Sequence, residues 1–226
     1  MNLLLLGHGK TGSIVAEIAR DHGHTLDILD EPDNTNAAGL TSDRLRAIDV
    51  VIDFTTPHAV LPNIHACIGG RKNMVVGTTG WYEHIPEIKK LVEQANTGFV
   101  WAANFSVGVN LFFQIANTAA AALRYGYSGH ILERHHIHKK DAPSGTAVAI
   151  RNVIEQASNT KLEITSEREG EVFGLHQLTL ESDADTITLI HDAKSRRSFA
   201  QGAILAAEWI KDRKGFYDFK DIFPQL

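Results

Sequence analysis

The chain has 226 residues, 43% hydrophobic and 22% charged, which is enough apolar material for a substantial core in one large or two small domains. Lys and Arg number 22 against 27 Asp and Glu, a formal charge of −5, so there is no basic excess to neutralise a phosphate backbone and nucleic acid is excluded as the main partner. A single cysteine, Cys67, excludes an intrachain disulfide framework and any multi-cysteine metal cluster.

The apolar run at residues 3–6 has no basic leader, and no segment reaches the ~18 apolar residues of a membrane span, so a cytoplasmic protein is expected. The first half alternates short Leu-rich or β-branched runs with amphipathic stretches, the pattern of a parallel α/β sheet. Residues 3–6 read as a strand buried on both faces; Ile14, Val15, Ile18 and Ala19 then recur at helical spacing, and Gly23 stops that helix. Residues 25–29 predict a second strand ending at Asp30, and the polar segment 31–42 reads as loop. A third strand is expected over 50–54, followed by Thr56-Pro57, an N-cap candidate with Pro at the first helical position. Strands at 74–76 and 98–102 flank a helix marked by Ile85, Ile88 and Val92. Every strand but the second runs into a turn rich in Gly, Thr, Pro or Asn, at the end where open parallel sheets hold their ligands.

The pattern changes after Asn104. One long helix is expected over 107–123 and a last one over 199–212. Between them lie strands at 129–138, 162–165, 172–180 and 186–191, and a single helix over 145–157. The fold class is therefore α/β, a parallel-sheet domain over 1–105 plus a second α+β domain over 106–196 with a mixed, mainly antiparallel sheet.

Gly7-His8-Gly9-Lys10-Thr11-Gly12 is G-x-G-x-x-G between a predicted strand and a predicted helix. Such glycines allow a tight turn and close backbone approach to a pyrophosphate at a helix N-terminus. Asp30 stands 18 residues beyond Gly12, close to the spacing of a ribose-binding acid. A plain strand–helix turn with a solvated Asp is the weaker alternative. Glu31 adds a second carboxylate with no arginine beside it, which favours NADH over NADPH.

The segment Glu133-Arg134-His135-His136-Ile137-His138-Lys139-Lys140-Asp141-Ala142-Pro143-Ser144-Gly145-Thr146-Ala147 concentrates cations in an acidic protein. If the strand continues regularly, His135, Ile137 and Lys139 share one face, and His136 and His138 the other. Ser144 is a good N-cap, and free N–H groups around Gly145 and Thr146 would face an anion. Cations near a helix N-terminus make a site for a small carboxylate or dicarboxylate. A solvated face is the bland reading for Arg134 and Lys140. No metal is expected, because His136-x-His138 lacks an evident third ligand. Ser144 is outside any G-x-S-x-G elbow. His8, His22, His24, His58, His65, His84, His130 and His176 read as isolated, and Cys67 as a buried, inert thiol.

The His-rich motif resembles the signature of the 4-hydroxy-tetrahydrodipicolinate reductase family of the diaminopimelate and lysine pathway. The likeness runs in register through Gly7 to Gly12, Val51-Ile52-Asp53-Phe54-Thr55, Gly77-Thr78-Thr79-Gly80 and Ala102-Ala103-Asn104-Phe105-Ser106. It continues through Ser195-Arg196 with Phe199-Ala200 and ends at Gly215-Phe216-Tyr217-Asp218. It implies a Rossmann domain completed by about 197–226, a second domain that also builds a homotetramer, and NADH or NADPH as cofactor. Gly7 to Gly12 would then hold the pyrophosphate, with Asp30 on the adenosine ribose. Gly77, Thr78, Thr79, Ala102, Ala103, Asn104 and Phe105 would line the nicotinamide side. His135 and Lys139 match the family's catalytic pair, and His136, Gly145 and Thr146 its substrate contacts. Arg196 and Phe199 are further cofactor candidates. The chain departs from the family at acidic Glu31 and in a short segment over 31–46. A different two-domain dehydrogenase, or a sensor that binds dinucleotide without turnover, is the alternative.

Overall fold

Four consecutive leucines give a strand with no polar face, and β1 (Asn2–Leu6) has Leu3 to Leu6 fully buried. Leu3 and Leu5 enter one hydrophobic layer, Leu4 and Leu6 the other, as a period of two requires. The computed structural model describes residues 1–226 as two units, Met1–Ser106 with Arg196–Leu226, and Val107–Ser195.

In the first unit β1 is followed by α1 (Gly12–Asp21), β2 (Thr25–Leu29), the short α2 (Ser42–Arg46) and β3 (Val50–Asp53). Then come α3 (Val60–Gly69), β4 (Asn73–Val76), α4 (Ile85–Ala95) and β5 (Gly98–Trp101). One element is new and one local expectation fails. Helix α2 lies beyond the loop and was not foreseen; Thr41 caps it by accepting the Arg44 N–H at 3.3 Å. Thr56 does not cap α3: its carbonyl instead accepts the N–H groups of Ala59 and Val60, so a turn precedes the helix.

The second unit begins with α5 (Val107–Ala119), which tightens into a 3-10 stretch at Ala120–Tyr125 rather than continuing as one long helix. Gly126, at φ +88, ends it. Next come β6 (Ser128–His135), α6 (Gly145–Ser158), β7 (Glu163–Arg168), β8 (Leu175–Glu181) and β9 (Thr186–Asp192). The sheet order is β7-β6-β8-β9. Strands β6 and β7 are parallel, joined through α6, and the other pairs are antiparallel. Register sets Ile164, Ile131, Leu178 and Leu189 abreast on one face, packed with Phe112, Ala116, Ile150 and Ile154 of α5 and α6.

The chain then returns to the first unit with α7 (Arg197–Ile210), β10 (Gly215–Asp218) and α8 (Phe219–Ile222). Strand β10, which the sequence pattern did not reveal, pairs in parallel with β5. The completed six-stranded sheet is parallel throughout, in the order β10-β5-β4-β3-β1-β2. Strand order reverses between β1 and β3, and a crevice opens at such a switch point beyond the carboxyl ends of the strands. No helix is long and apolar enough to cross a membrane.

Candidate active site

The crevice of the first unit is a cleft of about 270 Å³ lined by Gly7, His8 and Gly9 after β1, Asp30 and Glu31 after β2, and Thr55 after β3. The three glycines of the turn do different work. Gly7 has φ +84, and a Cβ there would stand 2.5 Å from the Phe54 carbonyl oxygen. A Cβ on Gly12 would stand 2.1 Å from the Gly7 carbonyl oxygen, so Gly12 lets α1 pack against its own turn. Gly9 meets nothing within 4 Å and faces open space. Lys10 is exposed, and Thr11 precedes α1 without a side-chain cap, leaving the helix N-terminus for an anion. This cradle and the acid at its rim fit a dinucleotide.

Beneath the cleft lies a buried carboxylate. Asp53 accepts hydrogen bonds from the Thr55 N–H at 2.9 Å, the Thr55 and Thr78 hydroxyls at 2.7 Å, and Asn63 Nδ2 at 2.9 Å. Burial still pushes its carboxyl above the ordinary range. Asn63 in turn accepts from Asn34 Nδ2 at 2.9 Å, so one acid fixes turns after β3 and β4 and the loop after β2. The Thr78 hydroxyl is committed to Asp53, and the Phe105 ring is buried against Phe219, so neither side chain lines the crevice. Gly77 accommodates the Phe54 ring, Ala102 is buried, Thr79 and Ala103 are exposed, and the Asn104 side-chain oxygen accepts the Ser106 N–H at 2.8 Å.

In the second unit the polar row follows the apolar one by two residues on the same sheet face. Register places Ser166, Glu133, His176 and His191 abreast, with Arg168 opposite His135. Glu133 is fully buried. One carboxylate oxygen contacts Nδ1 of buried His135, and the other accepts from Arg168 at 3.0 Å. Burial alone would raise the Glu133 carboxyl, but hydrogen bonds from Ser166, Arg168 and His135 outweigh it and the net shift is downward. For His135 burial prevails over the Glu133 charge, aided by the charges of Lys139 and Arg168, and holds the imidazole below its usual value. A Cβ on Gly174 would stand 3.0 Å from His135 Nε2, so the imidazole packs closely against this glycine.

His176 stacks edge-on against His135 at 5.2 Å between ring centroids. Burial, with the neighbouring His135 and His191, pushes its imidazole down to about 3. Ser144 caps α6 as expected, its oxygen accepting the Ala147 N–H at 3.1 Å. Its hydroxyl also hydrogen-bonds with His176 Nε2 at 3.2 Å, which ties the start of α6 to the His135 cluster. Gly145 is exposed with no neighbour within 4 Å of an added Cβ, and Thr146 follows it in the first turn.

Several expectations about this segment are overturned. Strand β6 stops at His135, because the His136 and Ile137 N–H groups turn to the Val172 and Gly170 carbonyls. Residues 136–139 form a turn closed by the Lys139 N–H on the His136 carbonyl at 3.1 Å, so the assumed alternation of faces does not reach Lys139. The expected cation cluster is dispersed. Arg134 pairs with Glu167 and Glu169, and Lys139 pairs with Asp141 at 2.8 Å. His176 is not isolated, and neither are His22 and His24, which share Glu208. Sequence reasoning gave no role to Glu133 or Arg168. Glu133 opened the motif, two residues before His135, but the partner of its other oxygen depends on strand pairing. Arg168 also donates to the Asp141 carbonyl at 2.6 Å and so braces the loop that carries Lys139.

The chain resembles known proteins over its whole length. Family profiles described as dihydrodipicolinate reductase, N-terminus, and dihydrodipicolinate reductase, C-terminus, match residues 1–105 and 108–223. The 4-hydroxy-tetrahydrodipicolinate reductase of Christiangramia forsetii is 37% identical, covering 100% of this chain and 99% of that protein. The enzyme of the same name from Neisseria meningitidis serogroup B is 33% identical over 95% of this chain and 94% of its own. Among solved structures, dipicolinate-bound dihydrodipicolinate reductase from Paenisporosarcina sp. TG-14 shares the fold, with a TM-score of 0.80 at 24% identity, covering 98% of this chain and 99% of that one.

Proposed function

The chain belongs to the dihydrodipicolinate reductase family, and on that premise we propose how its residues divide the work of the family reaction. It is an NAD(P)H-dependent oxidoreductase, a 4-hydroxy-tetrahydrodipicolinate reductase that forms tetrahydrodipicolinate in diaminopimelate and lysine biosynthesis. When bound, the dihydronicotinamide supplies the hydride. Gly7, His8, Gly9, Lys10, Thr11 and Gly12 hold the pyrophosphate, and Asp30 holds the adenosine ribose. The backbone at Gly77, Thr78 and Thr79 and at Ala102, Ala103, Asn104 and Phe105 borders the nicotinamide.

The substrate is a cyclic dicarboxylate that loses water and gains a hydride and a proton. Hydride addition leaves electron density on the ring nitrogen system, so a proton must follow. His135 donates it through Nε2, the nitrogen beside Gly174, and an imidazole suits that task near neutral pH. Lys139 exchanges Asp141 for a substrate carboxylate and stabilises the developing charge. The N–H groups of Gly145 and Thr146 and the His136 side chain hold the carboxylates. The observation that carries this reading is the buried His135 set beside the Ser144-capped start of α6. Dihydronicotinamide oxidation coupled to the product of dihydrodipicolinate synthase tests it, and absence of consumption with either cofactor refutes it. Asp30 and Glu31, both at the cleft, repel an adenosine 2′-phosphate and favour NADH. A homotetramer in the cytoplasm completes the proposal.

A further inference from the structure

We propose that Glu133 is a positioning residue that holds His135 as the Nδ1–H tautomer and so assigns proton delivery to Nε2. The inference rests on His135 being the proton donor. Glu133 lies two residues before His135 on the same face of β6 and is fully buried. A carboxylate at imidazole Nδ1 accepts a hydrogen bond and offers none, so the proton on that nitrogen stays there through the reaction cycle. The imidazolium then has one proton to give, on Nε2, the nitrogen that lies against Gly174.

Glu133 must remain ionised to do this, and its surroundings provide for that. Arg168 Nη1 donates to its second oxygen at 3.0 Å, and Ser166 supplies a further hydrogen bond. Arg168 is itself held by the carbonyls of Glu167 at 2.6 Å and Asp141 at 2.6 Å. A buried carboxylate with both oxygens engaged cannot swing away from the ring. The charges facing His135 are Glu133 on its own strand, Arg168 on β7, His176 on β8 and Lys139 on the following loop. Only Glu133 among them favours the imidazolium. Without it His135 protonates at lower pH, so the limb of the kcat profile that falls with rising pH moves to the acid side.

Three proteins test the proposal: wild type, Glu133→Gln and His135→Gln. An amide can accept from Nδ1–H or donate to bare Nδ1, so Glu133→Gln removes the tautomer preference while keeping size. The expected results are kcat lower by about 10²-fold, an acid-shifted limb, and imidazole nitrogen NMR shifts changing from the Nδ1–H form to a mixture. Dinucleotide affinity and thermal midpoint serve as controls for folding. If His135→Gln turns over at the wild-type rate, the donor assignment itself fails. If His135→Gln is crippled while Glu133→Gln keeps the wild-type limb and nitrogen shifts, the donor stands and the positioning role fails. Should Glu133→Gln not fold, Glu133→Asp replaces it. It keeps the charge at shorter reach, so kcat must fall while the limb stays; an acid-shifted limb in that variant overturns the proposal.

Discussion

Gly9→Ala and Gly12→Ala change one methyl group each within the same turn, yet the structure assigns them opposite consequences. A Cβ on Gly12 falls 2.1 Å from the Gly7 carbonyl oxygen, more than an ångström inside ordinary contact. Either α1 or the turn must move, and overpacking of this kind costs about 1–3 kcal/mol. For a chain of this size that lowers the thermal midpoint by roughly 2–12 °C, at about 2–4 °C per kcal/mol. A Cβ on Gly9 meets no protein atom within 4 Å, so the midpoint should stay within about 1–2 °C. On the proposed role of this turn, the same methyl group would occupy the space through which backbone approaches the pyrophosphate. Losing one charge-assisted hydrogen bond there costs about 1.5–3 kcal/mol, a rise of roughly 10- to 100-fold in the dinucleotide dissociation constant. Circular dichroism melting and a dinucleotide fluorescence titration on both variants separate the two effects. If Gly9→Ala melts as early as Gly12→Ala, or binds dinucleotide like wild type, the division of labour among these glycines is wrong.

Four more outcomes are expected. His135→Gln and Lys139→Ala should each lower kcat by ~10²–10⁴-fold, and wild-type turnover in both sinks the assignment. Gly174→Ala places a carbon 3.0 Å from His135 Nε2, so kcat should drop about 10-fold with dinucleotide affinity unchanged; an unchanged kcat would show that Nε2 is not the working atom. Glu31→Arg should raise the NADPH-to-NADH ratio of kcat/KM by about 10-fold or more, as a new cation meets the 2′-phosphate. His176, depressed from 6.5 to about 3, makes acid destabilising: as pH falls below 6.5 the unfolded chain takes a proton that the folded imidazole refuses. From about pH 7 to about pH 5 this removes about 2 kcal/mol of unfolding free energy, and urea titrations should show the loss shrinking in His176→Gln. An equal loss in the variant places the acid sensitivity elsewhere.

What the sequence made legible was local. Leu3 to Leu6, the glycine turn and the Ser144 cap each announce themselves within a few residues, because strand burial, turn conformation and capping are short-range constraints. Strand β10 escaped notice because Gly215 to Asp218 is brief and only half-buried, and its place is set by β5, more than a hundred residues earlier. The Asp53 hub was equally invisible. Nothing in Val50 to Asp53 says that an otherwise apolar strand ends in a carboxylate satisfied by Thr55, Asn63 and Thr78.

Register is what joins these separated signals into a site. Glu133 and His135 are adjacent on one face by strand period alone, but His176 comes opposite Glu133 only because β8 runs antiparallel to β6. Arg168 comes opposite His135 only because β7 runs parallel to it. A shift of one residue in either pairing would send His176 or Arg168 to the other face and leave Glu133 buried without a compensating cation. An unpaired buried carboxylate is costly enough to disfavour that register. The same argument explains why counting cations misled. Arg134 and Lys139, close in sequence to the motif, are neutralised by Glu167, Glu169 and Asp141, whereas Arg168 holds the buried acid. Electrostatics at this site are therefore set by strand pairing: a substitution in β7 or β8 that preserves charge but shifts register should impair His135 as severely as replacing Glu133.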